Sequence, residues 1–164
     1  MDTQRRFSVM GDNVFNILSK VMKNQRLLKL LKFTDNDPLK HPDLTQDEID
    51  KMLHKNILIV PKIPDEPDEK LCYLIVLLDR YQVAPNNSEF KTAEIRFVVL
   101  CPTDRWVINE KTLRPYAIMN EIDKMFNEKE LAGIGNLKFD SFGILVPSVN
   151  LSGYTMIYGH YEFN

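Results

Sequence analysis

The chain has 164 residues, 44% of them hydrophobic, with a formal charge of -2 and a pI near 5.9. That length can bury a core without metal or disulfide staples, so residues 1–164 are expected to form a single domain. The slightly acidic balance excludes the broad basic field of a nucleic-acid reader. Two cysteines, both in predicted buried strands, make no secreted disulfide framework, and the amino-terminal Met-Asp-Thr-Gln-Arg-Arg lacks the apolar core of a signal peptide. The protein is therefore expected to be made and folded in a cytoplasm.

In chain order, Val14, Phe15, Ile17, Leu18, Val21 and Met22 follow helical spacing, with Asn16, Ser19, Lys20 and Lys23 opposite. A second set, Leu27, Leu28, Leu30 and Leu31, also fits a helix, but at roughly 100° per residue it faces nearly the other way. One straight helix cannot bury both. Either the helix breaks near Lys23-Asn24-Gln25, or it is sandwiched between two partners, one of them a neighbouring subunit. Arg26, Lys29 and Lys32 gather on the exposed side of the second piece, as a solvated face or as a docking surface for an acidic partner.

The turn-rich stretch from Thr34 to Asp43 is followed by Thr45 and Glu48 at capping-box spacing, with Leu44 and Ile49 placed as a hydrophobic staple. This predicts a short peripheral helix from Gln46 to about Lys55, burying Ile49, Met52 and Leu53. Ile57 to Val60 reads as a strand stopped by Pro61. A proline-stiffened loop follows, carrying Asp65, Glu66, Asp68 and Glu69, carboxylates that repel one another and stay wet. Their spacing lacks the glycine turn and ligand pattern of a calcium-binding EF-hand.

Leu71 to Leu78 is eight successive apolar or aromatic residues, too short to span a membrane and too uniform for a surface strand. It predicts a strand in the middle of a sheet. Folding back around Asn86-Asn87 sets Cys72 opposite Cys101, Leu74 opposite Val99, Val76 opposite Phe97 and Leu78 opposite Ile95, making one face wholly apolar. A slip by one residue would drive Glu94 and Arg96 into the core, whereas a slip by two keeps the faces. The cysteines read as small buried hydrophobes, with their pairing left open.

Trp106, the only tryptophan, lies in an irregular stretch where it plugs the end of the core or anchors an interface. Leu113-Arg-Pro-Tyr116 opens a helix whose first turn tolerates Pro115, with Ile118, Met119, Ile122, Met125 and Phe126 on one face. Two last strands, about Lys138 to Val146 and Tyr154 to Phe163, close a second hairpin through a long connection. The expected fold is α+β: a mainly antiparallel sheet of two hairpins with an amino-terminal helix, a short capped helix and one amphipathic core helix.

Nothing in the sequence assembles a catalytic constellation, and no enzyme activity, metal or cofactor is expected. His41, His54 and His160 are dispersed, and no His-x-x-x-His, Cys-x-x-Cys, phosphate-cradling glycine loop or Gly-x-Ser-x-Gly elbow occurs. Glu121 and Asp123 point to different sides of their helix.

The order of elements, with Trp106 through Leu113-Arg-Pro-Tyr116 leading into one amphipathic helix and Gly133-Ile-Gly135 before a closing hairpin, resembles the tail terminator, or tail completion, proteins of tailed bacteriophages. The resemblance covers nearly the whole chain and is one of layout, with an additional capped helix and a longer acidic loop in this sequence. It implies a structural virion protein forming a ring, typically a hexamer, at the head-proximal end of the tail. Its partners would be copies of itself, the tail tube protein and the neck or connector protein, with DNA passing through without specific binding and no membrane involved. On this view Arg26, Leu27, Leu28, Leu30, Leu31 and Trp106 form the interface between copies. Asp65, Glu66, Asp68 and Glu69 would line the lumen and repel phosphate. The alternatives are another head-tail connector or neck protein, a small cytoplasmic hydrolase, or a nucleic-acid-binding accessory factor.

Overall fold

In a computed structural model, which describes residues 6–60, 70–84, 87–109, 111–131 and 135–162, helices lie against one face of a six-stranded, mostly antiparallel sheet. The α+β architecture is as the sequence implies. The first helix, α1 (Arg6–Val21), ends at the expected break, and α2 (Gln25–Lys32) restarts from Asn24, whose side chain accepts a hydrogen bond from the Leu27 amide at 3.0 Å. The break changes the direction of the chain so that Ile17, Leu18 and Val21 and all of Leu27, Leu28, Leu30 and Leu31 reach the same core.

The capping box at Thr45 and Glu48 is formed, with Leu44 and Ile49 buried beside it. However, α3 (Gln46–Asp50) is shorter than expected. The amides of Lys55, Asn56 and Ile57 all bond to the Met52 carbonyl, and His54 takes a left-handed φ of 65°, turning the chain into β1 (Ile57–Leu58). Asn56, buried, ties this turn to the rest by donating to the carbonyls of Cys72 at 2.9 Å and Leu31 at 3.3 Å.

The long strands β2 (Tyr73–Ala84) and β3 (Asn87–Pro102) pair in the anticipated register, Leu74 with Val99, Val76 with Phe97 and Leu78 with Ile95. A bulge after Leu78 then shifts the ladder so that Arg80, in place of Asp79, faces Glu94. The middle of the sheet belongs to β3 and β8 (Leu151–Glu162); β2 is second from one margin, with β1 parallel to it outside. Between them come a two-stranded turn, β4 (Val107–Ile108) and β5 (Thr112–Leu113), and the core helix α4 (Arg114–Phe126). β6 (Lys129–Leu131) and β7 (Gly135–Leu145) complete the sheet in the order β1-β2-β3-β8-β7-β6.

The main core lies between the helices and one sheet face, where Ile118, Ile122 and Phe126 of α4 meet Phe97, Val99, Met156 and Tyr158. A smaller cluster of Tyr73, Ile75, Val98, Leu100 and Leu151 occupies the other face. The β3–β8 approach requires Gly153, because a Cβ there would come within 1.8 Å of the Val99 carbonyl oxygen. No helix among the described residues is long and apolar enough to cross a membrane.

Candidate assembly surface

The residues singled out for an interface between copies do not form one surface. Leu27, Leu28, Leu30 and Leu31 are completely or almost completely buried within one subunit, which corrects the expectation that they face a neighbouring copy. The helix break supplies the reason, since it turns their face onto the subunit's own sheet and α4. Arg26 remains exposed and binds Glu121 at 3.3 Å, while Trp106 is half-buried and donates its indole N–H to the Cys101 carbonyl at 3.3 Å. Asp65, Glu66, Asp68 and Glu69 lie outside the described residues.

Glu121 is one of the few buried charged side chains, and it receives Arg26, Lys124 at 3.0 Å and Asn24 at 3.5 Å. Burial alone would raise its carboxyl, but hydrogen bonds from Lys124, Asn24 and Arg26 hold it below the usual carboxylate range. Asp123 points elsewhere, accepting a hydrogen bond from the Tyr158 hydroxyl at 2.8 Å. The two carboxylates therefore serve separate contacts and make no acid–base pair. Cys72 and Cys101 are free, buried thiols on the helix face, and burial together with the Cys72 hydrogen bond pushes the Cys101 thiol far up, away from nucleophilic use. Among the described residues no His, Cys, Asp and Glu side chains cluster as a metal site.

The β7 margin of the sheet exposes a group of apolar side chains. Beyond the cover of α4, aromatic rings run in a chain from Trp106 to Tyr154 (6.0 Å between centroids), from Tyr154 to Tyr116 (5.2 Å) and Phe142 (5.8 Å), and from Phe142 to Phe139 (6.5 Å). The Tyr116 and Tyr154 hydroxyls are hydrogen-bonded at 2.8 Å, which raises the Tyr154 phenol. Phe139, Phe142, Ile144, Val146 and Val149 are all exposed. Isolated apolar residues at a surface are ordinary, but a connected run of this kind marks a contact surface. Its charged neighbours on β7, Lys138 and Asp140, balance each other, so it lacks the basic groove that would make stacked rings a single-strand binder.

The sequence predicts a strand over most of β7 without revealing this strip. A bulge between Phe139 and Ser141 puts Phe139 and Phe142, three positions apart, on one face, opposite Tyr158 and Met156 of β8. Strict alternation would have separated them. The one available signal was the density of large apolar residues from Phe139 to Val149 after the core had already been supplied by other elements.

The fold and surface together define an α+β protein whose most conspicuous described feature is an uncovered aromatic sheet margin. The chain belongs to the YomW family, whose model matches residues 24–159. That family takes its name from a gene of a phage-like Bacillus prophage, which points to a phage-related protein. No curated protein matches the chain.

Proposed function

We propose that the protein is a structural component of a virion, forming a ring at the head-proximal end of a phage tail, where it terminates the tail tube and joins it to the neck or connector. The observation that carries this reading is the connected apolar strip of Phe139, Phe142, Ile144 and Tyr116, exposed around the buried ring of Tyr154. A ring subunit needs such a surface on every copy. The phage-related family name and the layout shared with tail terminators support the same assignment. The protein would assemble in the host cytoplasm and reside in the virion, act without turnover or cofactor, and let DNA pass without binding it. Asp65, Glu66, Asp68 and Glu69 would then face the lumen and keep phosphate from adhering.

Native mass measurement of the purified protein, alone and mixed with the tail tube protein of the same phage, tests the proposal. A closed ring, hexameric by likeness to tail terminators, is expected under at least one condition. A monomer under both would overturn it. A ring structure with the Asp65 to Glu69 carboxylates on its outer surface would remove the lumen assignment.

A further inference from the structure

Cys72 and Cys101 take no part in the assembly surface, yet the strands set them against each other. β2 and β3 pair Tyr73 with Leu100, and one step further along the same ladder Cys72, just before β2, meets Cys101. Both are completely buried in the main core, on the helix-covered face of the sheet.

The hydrogen bonds to β1 fix what kind of pair this is. The Leu74 amide donates to the Asn56 carbonyl at 2.8 Å, and the Cys72 carbonyl accepts from the Asn56 side chain at 2.9 Å, so both residues turn their main-chain groups away from β3. Leu74–Val99 and Cys72–Cys101 are therefore non-hydrogen-bonded pairs of the β2–β3 ladder. In such pairs the side chains stand closest, with Cα atoms about 4.5 Å apart, and a disulfide spans about 4.4–6.8 Å between Cα atoms. No strand has to move. The main chain is also held on the outer side of each cysteine, by Asn56 at Cys72 and by the Trp106 indole, which donates to the Cys101 carbonyl at 3.3 Å.

The two thiols are hydrogen-bonded to each other. Burial and this bond push the Cys101 thiol up, so Cys101 keeps its proton and donates it toward the Cys72 sulfur, while the Arg114 charge acts the other way. Cys101 is thus no nucleophile toward an outside reagent, and within the pair it is the donor. We infer that Cys72 and Cys101 form a modification site, at which a small hydroperoxide converts the facing thiols into a disulfide that ties β2 to β3. The Cys72 sulfur attacks the peroxide, an S–O bond forms as the O–O bond breaks, and the distal oxygen leaves as water with the Cys72 proton. The Cys101 sulfur then displaces the sulfenic oxygen, forming the S–S bond, and its proton leaves in a second water. The two sulfurs lose two electrons and the peroxide gains them. A bulky disulfide such as oxidised glutathione is shut out by burial, whereas a molecule the size of hydrogen peroxide enters through local openings of the fold. Reducing surroundings keep the pair as thiols and oxidising ones close it.

This site does not depend on the ring assignment, and its test is read separately. Full-length, reduced and folded protein is treated with hydrogen peroxide, then denatured, its remaining thiols alkylated and its peptides mapped, beside Cys72→Ala and Cys101→Ala treated in the same way. Wild type is expected to lose both thiols together and to yield one linked peptide pair containing Cys72 and Cys101. It should also melt roughly 5–10 °C higher than before treatment, because the bond closes a loop of about 30 residues, and reductant should reverse both changes. The alanine variants undergo the same methionine oxidation without a partner thiol, and their melting should not rise. Wild-type thiols that both remain open to alkylation once methionines have been oxidised would overturn the site. Sulfinic acid accumulating on either cysteine, or a link between two molecules in place of one within the chain, would overturn it as well. Should a variant fail to fold, the linked wild-type peptide decides the case by itself.

Discussion

Arg114 is the residue on which the helical layer turns. It is fully buried at the start of α4, an unfavourable end for a cation, yet its guanidinium donates to the carbonyls of Leu30 at 3.2 Å, Phe33 at 2.6 Å, Arg105 at 2.9 Å and Asp35. Several of these oxygens end α2 or follow it, where no intrahelical donor remains for them. One planar fork thus satisfies the end of one helix while anchoring the start of another. Lysine cannot reproduce that geometry. Arg114→Lys is expected to lower unfolding free energy by about 2–4 kcal/mol, since hydrogen bonds to a charged donor contribute about 1.5–3 kcal/mol each and stranded carbonyls add a cost. A denaturant midpoint near that of wild type would show the cluster to be dispensable.

Glu48 makes a second prediction at this scale. Hydrogen bonds from Lys32 and from the Thr45 amide and hydroxyl lower its carboxyl from the usual 4.5 to about 2. A carboxylate whose folded value is depressed contributes stability above its unfolded value and loses it as pH falls toward the folded one. The stability advantage of wild type over Glu48→Gln should therefore be complete at neutral pH and shrink as pH falls from 4.5 to about 2. Denaturant titrations of both proteins across that range measure it; a constant difference would mean that the capping carboxylate is not titrating there.

Among elements, α2 shows how a correct local reading yields a wrong assignment. Its leucines do form a helix face that cannot share one axis with the apolar face of α1. The conflict is resolved inside the subunit by the Asn24 cap, and a neighbouring copy is not required. Leu31→Ala is accordingly expected to lower unfolding free energy by about 2–5 kcal/mol, the range for truncating a buried leucine. Its effect on assembly should follow from that loss of fold. Thermal melting alongside sedimentation would decide it, and selective loss of assembly with an unchanged melt would return α2 to the interface.

For the whole molecule, the exposed aromatic margin and the balanced charge around it set how assembly responds to solvent. Charge pairs exposed at a surface are screened at high salt, where the Debye length falls to about 3 Å at 1 M, whereas apolar burial is not. Association through Phe139, Phe142 and Ile144 should thus persist or strengthen between low and high sodium chloride in sedimentation runs. Dissociation on adding salt would place the contact on the Arg26 and Lys124 side, where charge dominates.

Local chemistry alone determined the helix break, the Thr45–Glu48 cap, the proline-tolerant start of α4 and the β2–β3 register, because each rests on spacing within one segment or on a face that only one pairing keeps dry. The layout of two hairpins and helices was legible for the same reason. Only the tertiary structure decided that β3 and β8 form the middle of the sheet, that β1 is parallel to its neighbour, and that Arg114, Asn56 and Glu121 are buried, since their partners lie far along the chain. It also decided which oily residues are left over. Periodicity reports that a segment has an apolar face, but burial depends on what packs against it: α2 found the core, while β7, with a bulge and one long neighbour, did not.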